Sequence, residues 1–157
     1  MSDVFDILFK AFWCGWAATG FAILFNAPVR ALWAIYLFGF IGGLVKYLVL
    51  YPAVGGGVIV ASLAAASAVG FLSIPAAHWR HVPPVVLGIP AVIPLVPGSF
   101  AYRSMLGLIR FINHQDMKVI SDAIHNGLMT VFIILVLSLG VTLPMLMFRI
   151  ESVKKVK

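Results

Sequence analysis

The chain has 157 residues, 62% of them apolar and 10% charged, with a mean hydropathy of +1.09 and a net charge of +6. Soluble domains are about 45–50% apolar and about 25% charged, so this composition excludes a soluble enzyme or a nucleic-acid-binding module and calls for an integral membrane protein. A helical span takes roughly 20 apolar residues, which leaves room for four or five spans and no separate soluble domain.

The first apolar run covers about residues 4–25. Asp3 and Asp6, with only Lys10 basic, do not make the basic start of a cleaved signal peptide, so the run reads as a retained span. Its Cys14 is the single cysteine and is read as a packing residue. The turn Asn26-Ala27-Pro28-Val29-Arg30 follows. Asn26 and Arg30 serve there either as turn-former and orientation charge or as polar groups at the cytoplasmic mouth of a pathway.

The second run, about 31–51, carries the pair Gly39 and Gly43, and Lys46 near its end. Lys46 either snorkels to the interface or serves a coupling ion. The third run, about 58–77, repeats the small-residue spacing at Ser62, Ala66 and Gly70 and closes at His78-Trp79-Arg80-His81. Such small-residue faces let helices approach closely, either inside the chain or against another subunit. His78 and His81 lack a neighbouring Cys, Asp or Glu, so no metal site is expected.

The fourth run, about 85–112, is broken by Pro90, Pro94 and the pair Pro97-Gly98. A polar connection from Asn113 to Asp122 leads to the fifth run, about 123–148, with Asn126 near its start, and then to the basic tail 149–157. The tail's Arg149, Lys154, Lys155 and Lys157 predict a cytoplasmic C-terminus. Five crossings then place the N-terminus outside and Arg30 and Arg80 in cytoplasmic turns. A re-entrant fourth run would give four crossings and put both ends inside.

The expected fold is therefore all-α and polytopic, with about five spans and the fourth broken. The break is where chemistry is expected. Each proline removes an N–H that would have bonded the carbonyl four residues earlier, so Pro90, Pro94 and Pro97 free the carbonyls of Val86, Pro90 and Ile93. These are acceptors for an ammonium, a cation or water. Gly98 and Ser99 open a second half-helix, with Ser99 as the expected N-cap; its free amides and positive dipole end suit an anion. Arg103, one turn on, adds a charge-assisted donor, and Tyr102 a hydroxyl. The substrate-binding set is thus Pro97, Gly98, Ser99, Tyr102, Arg103 and Asn126. The bland alternative is a kinked span with Arg103 snorkelling and Asn126 bonding a neighbouring helix. No nucleophile with its base, phosphate loop, cofactor motif or intramembrane carboxylate pair is present, so no enzyme activity and no cofactor are expected.

On these residues the chain resembles the threonine/serine exporter family in its split, small-subunit form, which includes the membrane subunit of a bacterial two-component succinate exporter. The resemblance rests on residues 20–32, on Ile93-Pro94-Leu95-Val96-Pro97-Gly98-Ser99 with Tyr102, and on Asn126. It implies a bacterial inner-membrane exporter of threonine and serine or of dicarboxylates such as succinate. It also implies a second, larger subunit with its own spans, a homo-oligomer being a further option. The rival is a structural subunit that stabilises a partner holding the whole pathway.

Overall fold

The structure, a computed structural model, describes residues 2–52, 54–114 and 116–148. The tail 149–157, with the basic cluster used above for orientation, lies outside the described residues. All regular structure in the described residues is helical: α1 (Ser2–Leu24), α2 (Val29–Val49), α3 (Val58–Arg80), α4 (Pro84–Val92), a single 3₁₀ turn (Ile93–Leu95), α5 (Gly98–His114) and α6 (Met117–Met147). The chain is an all-α, multi-pass membrane protein. α1, α2, α3 and α6 are each long and apolar enough to cross a bilayer, and α4 with α5 passes the same test as one span bent by 53°.

Local chemistry sets the ends. α1 stops where Asn26 takes a left-handed conformation (φ 54°) and Ala27 N–H reaches back to the Ala22 carbonyl at 2.9 Å, the pattern in which a left-handed residue closes the last turn. α3 stops the same way at His81 (φ 54°), with Val82 N–H on the Ala77 carbonyl at 3.2 Å. The connection expected from Asn113 to Asp122 is mostly helix instead. Asp116 accepts the Lys118 N–H at 2.9 Å and caps α6, so that helix starts six residues before the apolar run. Polar residues propagate a helix as well as apolar ones do, so the hydropathy edge and the helix edge part company here.

Glycines and alanines bring the helices together. Between α1 and α2, a Cβ on Gly39 would stand 2.5 Å from Ala18 Cβ, and one on Gly43 2.9 Å from Cys14 Cβ. Between α3 and α6, a Cβ on Gly70 would stand 2.9 Å from the Val141 carbonyl, and one on Gly140 2.7 Å from Ala66 Cβ. Both small-residue stripes are therefore consumed inside the chain, and Cys14 packs in one of them. Ile35, Val69, Leu87 and Leu95 fill the core between them.

The contact register gives the direction of each half of the broken span. α3 and α6 run parallel, Ala66 lying beside Gly140 and the Phe71 ring 6.0 Å from that of Phe148. α4 runs against α6, since Gly88 lies beside Met145 while Leu95 joins the cluster of Ile133 and Leu137. α5 also runs against α6, with Gly107 beside Ala123 and Ser104 beside Gly127. The chain thus keeps its heading through the break. α5 packs chiefly on α6 and leaves its other faces uncovered.

The close approach at Gly39 yields a test. Gly39→Leu forces extra methylenes into a filled gap, a change that costs typically about 1–3 kcal/mol, and is expected to lower the melting temperature in detergent. Gly20→Leu, where an added Cβ meets nothing within 4 Å, is expected to melt with the wild type.

Candidate functional site

The break is real and lies inside the bundle. α4 gives way to the 3₁₀ turn after Val92, and Val96 is fully extended (φ −61°, ψ 135°). Pro90 and Pro97 are buried and Pro94 half-buried, so the three prolines share the inward side. Val96, Gly98 and Ser99 face outward.

The freed groups at the break find several different partners. The Ile93 carbonyl is not available, because Val96 N–H bonds it at 3.0 Å. Gly98 N–H turns back on the Val96 carbonyl at 2.9 Å. The Pro97 carbonyl opens α5 by accepting from Phe100 N–H at 3.1 Å and Ala101 N–H at 3.3 Å. Ser99 is therefore inside the first turn and does not cap it, and of the four amides from Gly98 to Ala101 its own alone lacks a backbone acceptor.

The acceptor that proline arithmetic does not find is the Leu95 carbonyl. Its fourth-residue donor would be Ser99 N–H, which the extended Val96 carries away. Lys46, from the last turn of α2, donates its ammonium to this oxygen at 2.5 Å. Lys46 thus turns inward rather than snorkelling out. Gly42, one turn before it on the same face, makes room: a Cβ there would stand 3.0 Å from Val69 and 3.3 Å from the Leu95 side chain. No carboxylate forms an ion pair with Lys46 among the described residues.

The other sequence-derived residues fall in two further places. Tyr102, 67% exposed, and Arg103, also exposed, lie on the open side of α5, and Arg103 has no hydrogen bond or ion pair among the described residues. Asn126 lies across from them in the α5–α6 contact, next to Gly127 and its neighbour Ser104. Its side-chain amide donates within α6, to the Asp122 carbonyl at 2.7 Å, and its backbone carbonyl takes the Thr130 hydroxyl at 2.8 Å. Asn126 therefore makes no bond to a neighbouring helix here.

Asn26 and Arg30 belong to the opposite end of the broken span, where α4 begins. Asn26 holds the left-handed turn, and Arg30 Nη2 donates to the His81 carbonyl at 3.2 Å, tying the α1–α2 turn to the α3–α4 turn. Arg80 joins them, its guanidinium 4.2 Å from the Trp33 ring centre and 4.7 Å from that of Trp79. Aromatic faces hold a cation well where water is scarce, and here they stand in for a hydrogen-bond partner that the buried Arg80 Nε lacks. The described residues contain no group of three or more His, Cys, Asp or Glu suited to a metal ion.

Beyond the end of α2 lies a cleft of about 370 Å³, lined by Asp6, Lys10, Tyr47, Tyr51 and Pro52 among others, with Lys10 Nζ 5.6 Å from the centre of the Tyr47 ring. Sequence reading did not single out this place. Its residues come from the start of the first span and the end of the second, and each alone reads as an interfacial side chain.

A protein of Haemophilus influenzae described as an uncharacterized protein is 29% identical over 147 residues, covering 92% of this chain and 47% of that protein. The chain thus spans about half the length of that relative. No solved structure matches it. The sequence profile of the family described as Threonine/Serine exporter, ThrE, matches residues 10–147, which takes in both turns, the break and α6. The chain belongs to the threonine/serine exporter family.

Proposed function

We propose that this chain is one half of a secondary exporter of small carboxylates, threonine and serine or dicarboxylates such as succinate, in a bacterial inner membrane. The observation that carries the reading is the interrupted span. Irregular backbone at membrane depth is tolerated where protein or a water-filled cavity covers it, and broken helices are where transporters place their ligands. The exposed Ser99 amide, the Tyr102 hydroxyl and the unpaired Arg103 guanidinium form an anion-seeking face on the open side of the break. Asn126 completes it from α6. Asn26 and Arg30 mark the far, cytoplasmic entrance.

A second, larger subunit supplies the other half. The length relation to the relative supports this, because a chain covering 47% of it leaves room there for a second set of spans. Five crossings are odd, so two such halves joined in sequence would insert in opposite senses and place a site between them, an architecture known for transporters. The C-terminus is cytoplasmic in this reading: Arg30 and Arg80 gather at the end of the bundle toward which α6 runs, and basic residues favour that side.

Two experiments test this. In everted membrane vesicles from the native host, uptake of labelled threonine, serine or succinate is expected to fall when the chain is deleted. Arg103→Ala in the intact chain should reduce the wild-type rate by about 10–100-fold, the equivalent of one hydrogen bond to a charged group at about 1.5–3 kcal/mol. Deletion without effect on any of the three refutes the exporter reading. Loss on deletion but full activity with Arg103→Ala and Asn126→Ala leaves the structural-subunit role. Separately, in a Cys14→Ala background, Ser99→Cys is expected to react with a water-soluble maleimide and to be protected by substrate. Leu95→Cys, at a position 1% exposed, is expected to stay unreacted.

A further inference from the structure

We infer that Lys46 is the residue that receives the substrate's carboxylate at the break, and so sets the preference of this half for acids. The inference rests on the exporter reading and adds a carboxylate contact on the inward side of the same break, opposite the outward face of Ser99, Tyr102 and Arg103. Lys46 brings a basic group to the break, where the backbone leaves the helix, and bonds the Leu95 carbonyl there. An ammonium has three donors, and Leu95 takes one of them. A carbonyl offers a dipole and no charge, so the half-buried cation has no counterion among the described residues. Charges buried in proteins are paired or coordinated. The described acids do not pair with this one: Asp6 lies in the cleft at the end of α1, Asp116 caps α6, and Asp122 sits in the first turns of α6. A charge kept at such a place marks a substrate or ion pathway by default.

Gly42 leaves the space that lets the break lie against α2 at the level of Lys46. When a carboxylate binds the two remaining N–H groups, the Leu95 bond either persists or yields, and in both cases the charge gains its partner at the break.

The test uses the same everted vesicles, with threoninamide as a competitor that lacks the carboxylate. In the wild type, labelled threonine uptake is expected to be blocked by unlabelled threonine and little affected by threoninamide. Lys46→Gln keeps a donor for the Leu95 carbonyl but no charge. It is expected to raise the apparent KM at least tenfold and to erase the preference for acid over amide. Lys46→Arg, which keeps the charge, is expected to retain that preference. Rates are taken per amount of folded protein, read from the melting curve in detergent. Lys46→Gln that retains wild-type KM and acid preference overturns the inference and leaves the lysine as a structural tether. So does a loss of rate in both variants with the acid-over-amide ratio unchanged. The exporter reading fails by a different result, namely unaltered uptake after deletion of the chain.

Discussion

Everything in this chain follows from the rule that a backbone amide or carbonyl away from water must find a partner in the protein. The four long helices α1, α2, α3 and α6 meet it largely by internal bonding. The fourth span breaks it at Val96 and Pro97, and the structure shows what is recruited in return. A 3₁₀ turn absorbs the Ile93 carbonyl, a tight turn absorbs the Gly98 amide, and the first turn of α5 absorbs the Pro97 carbonyl. The Leu95 carbonyl is left for a lysine from another helix. The arrangement couples two costly features. A half-buried ammonium among apolar side chains is unfavourable, and so is an orphan carbonyl; each lessens the other's penalty.

Lipid offers no hydrophobic drive for helices to associate, because its tails are as apolar as leucine. Association must come from close contact, and the chain achieves this with backbones nearly touching at Gly39, Gly43, Gly70 and Gly140. These approaches fix α1 on α2 and α3 on α6, and they leave α4 to be held between the two pairs. The proline-rich segment is thus clamped on its inward side by rigid partners, so the break has a defined geometry rather than a slack one. At the other end, Arg30 on the His81 carbonyl and Arg80 between two indoles fasten the turns where α4 begins.

Much of this was legible from residue order. Runs of about 20 apolar residues indicated four or five spans, since length against bilayer thickness leaves few alternatives, and the sequence put the interruption between Pro90 and Gly98, whereas α4 continues through Pro90 to Val92 before the chain breaks. The small-residue stripes were visible too, although whether they faced inward or outward required coordinates. What order alone did not yield is instructive. Counting prolines identifies the donors that vanish, but the replacement for a lost donor comes from wherever the fold brings one, and Lys46 is 49 positions from Leu95. The same reasoning placed Ser99 at a cap that Pro97 takes, and treated Ile93 as open when its neighbour three residues on closes it. Hydropathy also misjudged the start of α6, because Asp116 caps a helix whose first turns are polar. Pairings local in sequence were within reach; those between spans were not.

The uncovered side of the break gives the last step. Lys46 and the prolines approach it from within, whereas Val96, Gly98, Ser99, Tyr102 and Arg103 point away from the bundle. α5 rests chiefly on α6 and has no second helix behind it. An arginine without a partner does not stay in contact with hydrocarbon when an alternative exists, since the cost of a charge facing lipid is several kcal/mol at about mid-depth. Within the two-subunit reading, that side is where the larger subunit docks, and the anion-seeking groups become the inner wall of a shared cavity instead of a lipid-facing ridge. The small-residue stripes cannot make this contact, being occupied inside the chain. Docking then falls to the flank of α5 and α6, so the same surface that completes the site also joins the halves.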